Sequence, residues 1–121
     1  MARNVNLQIL AVMERADLAR VSEREFQRAI WEYAAQAGWL AHYMYKSAQK
    51  LQDGTYRGLG TAGWPDIFAC RGERAIAIEV KSMSGRPTPE QRRWLAALKE
   101  AGIETALWKP DDAKLAMEVL S

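Results

Sequence analysis

Asp66, Glu79 and Lys81 are the residues of this chain whose types and spacing indicate chemistry. They lie in or beside two short apolar runs, 67–70 and 75–80, which an Arg-Gly-Glu-Arg turn sequence separates. This pattern predicts two antiparallel strands joined by a tight loop at the glycine and the glutamate. Asp66 then lies opposite Glu79, and Lys81 points to the same face because it is two residues further along the strand.

Two opposed carboxylates in such a hairpin indicate a metal site. Directly opposed side chains have Cβ atoms about 4.5–5.5 Å apart, where carboxylates repel unless a positive charge lies between them. Mg²⁺, which prefers oxygen ligands, is the natural candidate. Lys81 could then steady or deprotonate an attacking water, or stabilise charge on a phosphate. The alternative is a structural salt bridge of Glu79 with Lys81, or of Asp66 with an arginine, because a charge in an apolar strand needs a partner.

Size and composition restrict the class of protein. A chain of 121 residues predicts one domain. No apolar run approaches the ~20 residues of a membrane helix, and the N-terminus is not of signal-peptide type, so we expect a cytoplasmic protein that contacts no membrane. Cys70 is the only cysteine, which excludes an internal disulfide and a cysteine-based zinc site; we predict that it is a core or half-buried residue. His42, the only histidine, cannot supply a histidine metal site alone.

Net charge is +2, which is not the strongly basic balance of a protein that coats nucleic acid. It still permits a local basic surface beside the acids. The basic residues in flanking segments are Lys46, Lys50, Arg57, Arg86, Arg92 and Arg93. Each of them has ordinary solvation as its alternative role.

Apolar spacing predicts two helices in the first third of the chain. One covers residues 4–20. The next begins after Ser22, where the spacing to Glu25 is that of a capping box with the glutamate reaching back to the serine amide. Glu23, in the same first turn, has only a favourable interaction with the helix dipole as a structural task. Gln27 lies one helical turn after Glu23, on the same face of this helix.

The segment from 39 to 63 is predicted to contain a strand and a long connection. Residues 39–45 are rich in aromatics and alternate loosely, which favours a first strand. Residues 46–63 carry lysines and several glycines, and loops of this length in a compact domain are usually functional. We therefore predict a functional, basic loop here, with a solvated excursion as the alternative.

The last third of the chain predicts a helix, a strand and a final helix. Thr88 is an N-cap followed by Pro89, and Gln91 has the third position of a capping box. This helix is predicted to bury the stripe Trp94, Leu95, Leu98 and Ala101. Residues 103–109 then predict a parallel strand. A short helix runs to Leu120, where Val119 and Leu120 need cover from the same chain or from an interface.

The ordered motifs resemble a known family. Pro65-Asp66 followed after twelve residues by Glu79-Val80-Lys81 resembles the signature of the PD-(D/E)xK nuclease superfamily. With Gly60 to Asp66 before it and Thr88 to Gln91 after it, the chain resembles the VRR-NUC family of replication and repair nucleases over about residues 22–109. The resemblance implies an α/β fold with a restriction-endonuclease-like core, in which helices flank a central mixed sheet of about four strands. It implies a single nuclease domain over 1–121, with 1–21 as an N-terminal helical extension.

The resemblance also implies a mechanism. Asp66, Glu79, the Val80 carbonyl and Glu23 are expected to bind Mg²⁺ or Mn²⁺, while Lys81 and Gln91 assist the hydrolysis of a DNA phosphodiester. No small-molecule cofactor is expected. An acid at the start of the second helix completes the metal site in related nucleases, and both Glu23 and Glu25 are candidates, with Glu23 the better fit.

The resemblance further implies a substrate and an oligomeric state. Small stand-alone members of the family resemble junction-resolving enzymes, so we expect a homodimer that cuts four-way (Holliday) junctions. The basic residues expected to contact DNA are Lys46, Lys50, Arg57 and Arg86. Two alternatives remain: a nuclease for flaps, nicks or general DNA, and a non-catalytic DNA-binding module.

Overall fold

Four strands form one mixed sheet in the computed structural model, which describes residues 7–43 and 62–121. They are β1 (Leu40–Tyr43), β2 (Ile67–Arg71), β3 (Arg74–Val80) and β4 (Glu104–Trp108), in the order β1-β2-β3-β4. β1 pairs with β2 and β2 pairs with β3 in antiparallel fashion, and β3 pairs with β4 in parallel fashion. The predicted α/β class and mixed sheet are confirmed.

Within the described residues, four α-helices accompany the sheet. They are α1 (Leu7–Glu14), α2 (Glu23–Gln36), α3 (Pro89–Glu100) and α4 (Ala113–Leu120), with short 3₁₀ turns at Leu18–Arg20 and Pro110–Asp112. The first helix is shorter than the predicted 4–20, because the chain turns between Glu14 and the 3₁₀ segment; residues 4–6 lie outside the described ranges. No helix within residues 7–43 and 62–121 combines the length and apolar character that a membrane span requires.

The hairpin has the predicted register. Ile67 pairs with Ile78, and Arg71 pairs with Arg74, so Gly72 and the following glutamate form the two-residue loop. Gly72 has φ +60°, a left-handed value that a two-residue hairpin loop needs and that glycine adopts without penalty. This register fixes which side chains of β2 and β3 share a face.

One face of the sheet carries the main core. Alternate residues of β2 and β3 pack there with side chains from α1, α2 and α4, because apolar positions in strands recur with a period of two. The core residues that these two strands contribute are Ile67, Ala69, Ile76, Ile78 and Val80, and β4 adds Trp108. The opposite face is covered by α3, whose main contacts are with β3 and β4.

The apolar stripe of α3 is less buried than predicted. Trp94, Leu95 and Leu98 are half-buried and Ala101 is exposed, while Gln91 is the buried residue of the helix. The spacing identified the side of the helix that faces the sheet, but α3 lies mainly against two strands and is covered only in part.

Cys70 also differs from its prediction. It is exposed, not a core or half-buried residue. Its neighbour across the sheet is Leu40 of β1, which is 83 % exposed, so this end of the sheet meets solvent. An apolar strand sequence gives the alternation of faces but not which face is covered.

The final helix is docked within the chain. Leu120 is fully buried, and the Trp39 indole donates to its carbonyl oxygen at 2.8 Å. Arg71 donates to the Leu120 carbonyl at 3.2 Å and to the Ser121 carbonyl at 3.1 Å. Arg74 donates to the carbonyl of residue 119 at 3.3 Å. The guanidinium groups of both arginines lie over the Trp39 ring, so the loop end of the hairpin holds the end of α4.

Candidate metal centre

Asp66 enters the site from a segment packed against the start of α3. Gly63 has φ +86°, and a Cβ at this position would lie 2.5 Å from the backbone carbon of Glu90. The Trp94 indole donates to the Ala62 carbonyl at 3.0 Å. The close approach of two backbones therefore requires glycine at 63 and fixes the segment that leads to Asp66.

Trp64 supports the same segment. Its ring contacts Trp94 edge-on with centroids 4.9 Å apart, and Phe68 with centroids 5.8 Å apart. Such aromatic pairs contribute about 0.5–1.5 kcal/mol beyond their burial. These contacts show that Trp64 supports the segment before Asp66 by packing.

Asp66 is held at both its side chain and its backbone. It is 1 % exposed, and the Val80 amide donates to its Oδ2 at 2.8 Å. The Gln27 side chain donates from Nε2 to the Asp66 carbonyl at 3.5 Å. The side chain therefore occupies a hydrogen-bonding position at the end of β3, just where β2 begins.

Glu79 and Lys81 meet next to this acid. Glu79 is fully buried, and its Oε2 lies 3.5 Å from Lys81 Nζ. The same ammonium lies 3.4 Å from Oε1 of Glu23, at the start of α2. Lys81 is itself only 8 % exposed. One cation of the protein thus lies between two carboxylates that come from distant parts of the chain.

The three acids form a compact oxygen cluster. One carboxylate oxygen from each of Glu23, Asp66 and Glu79 lies within 4.8 Å of the others. Within the described part of the chain, the atoms Asp66 Oδ1 and Glu79 Oε1 are buried and accept no hydrogen bond. Three carboxylates beside one ammonium leave two formal negative charges among these four groups. Hard oxygen ligands with this charge fit a divalent cation such as Mg²⁺.

Glu23 and Glu25 have different surroundings. Glu23 belongs to the cluster, whereas Glu25 Oε2 accepts from Arg15 at 3.0 Å. The predicted cap is correct in its first half, because the Glu25 amide donates to Ser22 Oγ at 3.0 Å. The second half is wrong: the Glu25 carboxylate turns to Arg15, the residue after α1, and not to the serine amide.

Gln91 has the complete capping box that was predicted. Its side-chain Oε1 accepts from the backbone amide of Thr88 at 2.8 Å. The backbone amide of Gln91 donates to Thr88 Oγ1 at 3.1 Å. The side chain is 7 % exposed. The cap uses the amide oxygen, so the Nε2 group is the part of this side chain that can donate elsewhere.

The predicted DNA contacts are only partly described. Arg86 is exposed in the connection between β3 and α3, and Arg92 and Arg93 are exposed on α3. The predicted residues Lys46, Lys50 and Arg57, together with most of the predicted loop 46–63, lie outside the described residues.

Gln27 is the neighbour of the cluster to which the sequence assigned no role. Its spacing of four from Glu23 placed it on the same face of α2, but a polar residue among apolar neighbours can equally be solvated. Its burial, with 6 % exposed, and its contact with Asp66 become visible only in the fold.

Comparison with known proteins agrees with the fold. The sequence model of the VRR-NUC domain matches residues 21–110. A solved structure described as a VRR_NUC domain protein superposes with a TM-score of 0.56, over 82 % of this chain and 84 % of that chain, at 21 % sequence identity. No curated protein matches the chain. The family match covers most of the chain and includes all three acids, so this protein belongs to the VRR-NUC family of nucleases.

Proposed function

We propose that this protein is an Mg²⁺- or Mn²⁺-dependent endodeoxyribonuclease that hydrolyses phosphodiester bonds. The cluster of three carboxylates beside Lys81, in a chain of a nuclease family, is the observation that carries the proposal. Glu23, Asp66 and Glu79 would hold the cation through side-chain oxygens, and Val80 through its carbonyl. A bound cation supplies Lewis-acid activation of the phosphate and of water.

Lys81 and Gln91 would assist the reaction from their own positions. The Lys81 ammonium is within 3.5 Å of two cluster carboxylates, so it reaches the space in which the phosphate and the attacking water must lie. There it orients the water or donates to a phosphoryl oxygen as negative charge develops. Gln91 contributes through the amide nitrogen that its cap leaves available.

The substrate that we propose is a four-way DNA junction. The 121 residues contain no zinc-finger pattern that would read bases, which favours recognition of DNA shape and backbone. Cutting two strands symmetrically requires two active sites, so the active form is a homodimer. Arg86, with Lys46, Lys50 and Arg57, would contact the phosphates.

The extent of the domain is part of the proposal. Residues 1–121 form one VRR-NUC domain, with 1–21 as an N-terminal extension that acts in its stability. Ile9 and Val12 of α1 support this view because they share the main core with α2 and α4. A cytoplasmic location is consistent with a DNA substrate and with the single cysteine.

The test is a substrate panel with purified protein. Four-way junctions, flaps, nicked duplexes and linear duplexes are incubated with Mg²⁺, Mn²⁺ or EDTA. The proteins compared are wild type, Asp66→Asn and the control Asp111→Asn, which changes an exposed aspartate. We expect junctions to be cut at paired positions by wild type and by the control only, and only with metal. Light scattering should give the mass of a dimer.

Other outcomes of this panel favour the alternatives. Equal cutting of linear and branched DNA indicates a general nuclease, and preference for flaps or nicks indicates a processing enzyme. A monomer at micromolar concentration contradicts the junction assignment. Binding without cutting in either metal indicates a non-catalytic DNA-binding module.

A further inference from the structure

Gln27 is a buried amide at a place where packing alone would favour an apolar side chain. The other buried residues of α2 are Phe26, Ala29, Ile30 and Ala34. A buried amide costs free energy unless it forms hydrogen bonds, so its presence in this set points to a directional task. Its Nε2 donates to the Asp66 carbonyl at 3.5 Å, which is longer than the usual range of about 2.7–3.2 Å, so the hydrogen bond is a weak one.

The position of Gln27 connects two elements of the cluster. Glu23 lies four residues earlier on α2, and residues four apart are neighbours on one helix face. Asp66 belongs to the segment before β2, 39 residues further along the chain. A contact from Gln27 to the Asp66 backbone therefore links the helix that carries one acid to the segment that carries another.

The two hydrogen bonds that orient Asp66 act on different atoms of this residue. The Val80 amide fixes Oδ2 of the side chain, whereas Gln27 fixes the backbone carbonyl of the same residue. Together they restrict both the position and the rotation of the carboxylate. Groups that orient ligands in this way affect metal affinity by about 10–100-fold.

We infer that Gln27 is a positioning residue, which sets the separation of Glu23 and Asp66 and so the affinity of the site for its cation. The inference rests on the proposed metal-dependent function. Gln27 is not assigned contact with the cation, the water or the DNA. It acts through the Asp66 backbone.

The test compares Gln27→Met with wild type by titrating Mn²⁺ calorimetrically, without DNA. Methionine keeps the length and flexibility of the side chain and removes the amide. Gln36→Leu, an exposed glutamine at the end of the same helix, is the control. We expect the Mn²⁺ Kd to rise about tenfold in Gln27→Met and to stay unchanged in the control.

Stability and metal rescue separate positioning from folding. Thermal unfolding in EDTA monitors folding, and cleavage at rising Mn²⁺ should recover in Gln27→Met once the metal saturates the weakened site. A lower Tm with an unchanged Mn²⁺ Kd would overturn the inference and assign Gln27 to packing alone. Wild type that binds no Mn²⁺ would overturn the proposed function, and the inference with it.

Discussion

The Val80 amide donates to Oδ2 of Asp66 at 2.8 Å. The Asp66 carboxylate thus satisfies a backbone donor of β3, the strand that carries Glu79. One Asp66 oxygen thus has a structural task, and the other, Oδ1, belongs to the buried surface of the cluster. This division predicts that Asp66→Asn, which keeps an acceptor oxygen, separates metal binding from folding. Asp66→Ala would leave the buried amide unpaired, at a cost of about 1–3 kcal/mol.

Lys81→Met should weaken folding without metal and strengthen metal binding. Glu79 is fully buried, and the variant lacks the ammonium that this carboxylate shares with Glu23. We therefore expect the free energy of unfolding in EDTA to fall by about 3 kcal/mol. The more negative cluster should bind Mn²⁺ more tightly than wild type. Thermal unfolding and calorimetry measure these two effects.

The same variant should bind DNA and fail to cut it. Lys99→Met, which removes an exposed lysine of α3, is the matched control and should change neither Tm nor Mn²⁺ affinity. Loss of DNA affinity in parallel with cleavage would show that Lys81 only holds phosphate. An unchanged Mn²⁺ affinity would contradict the electrostatic account.

Gly63→Ala should disturb the site through the α3 backbone. Its Cβ would lie 2.5 Å from the Glu90 carbon at φ +86°, whereas Gly102, at φ +93°, has no atom within 4 Å of the corresponding position. Gly102→Ala therefore measures the backbone penalty alone, about 1–2 kcal/mol. We expect Gly63→Ala to lose about 1–3 kcal/mol more in denaturant unfolding, and to weaken Mn²⁺ binding. Equal losses in the two variants would rule out the clash.

Gln91→Glu and Gln91→Ala should separate capping from chemistry. Glutamate keeps the acceptor for the Thr88 amide, so its Tm should stay near that of wild type, whereas alanine loses about 1 kcal/mol. Both variants lack the amide N–H₂, and we expect cleavage to fall in both. Full cleavage by Gln91→Glu would assign this residue to the helix cap alone.

Glu104 should make stability depend on pH in the acid range. Hydrogen bonds from Arg74, at 2.8 and 2.7 Å, lower the pKa of Glu104, with an opposing effect of burial and a further lowering by Coulomb attraction. A lowered pKa in the folded state stabilises the fold above the unfolded pKa, and this contribution is lost as pH falls through the folded pKa. The free energy of unfolding of wild type minus that of Glu104→Gln should therefore be positive at neutral pH and shrink in acid. Glu100→Gln, which changes an exposed residue of α3, is the matched control for the substitution.

Local sequence determined the parts of the fold that depend on near neighbours. The pairing of Ile67 with Ile78 followed from a two-residue loop and a period of two, which leave one register for the hairpin. The Thr88–Gln91 cap followed from spacing within one helical turn. The approach of Asp66 and Glu79 was predictable because the hairpin register itself brings them together.

Features that depend on docking between elements were not predictable. Glu25 binds Arg15 because α1 packs beside α2, and the exposure of Cys70 depends on which sheet face is covered. The place of Glu23 in the cluster needed either the fold or the family resemblance, since its own turn offers no chemistry. The contact of Gln27 with Asp66 joins elements whose relative placement no short-range pattern specifies.

The acids of the cluster are far apart in sequence, from Glu23 to Glu79, and come together only when α2 has docked on the finished hairpin. An unfolded chain presents these carboxylates singly, so a divalent ion that occupies the cluster binds the native state almost exclusively. Mass action then makes the ion a stabiliser: at one hundred times its Kd it adds about 2.7 kcal/mol to the free energy of unfolding. The melting temperature should thus follow the concentration of free divalent ion, and a molecule depleted of it should be easier to unfold and to digest.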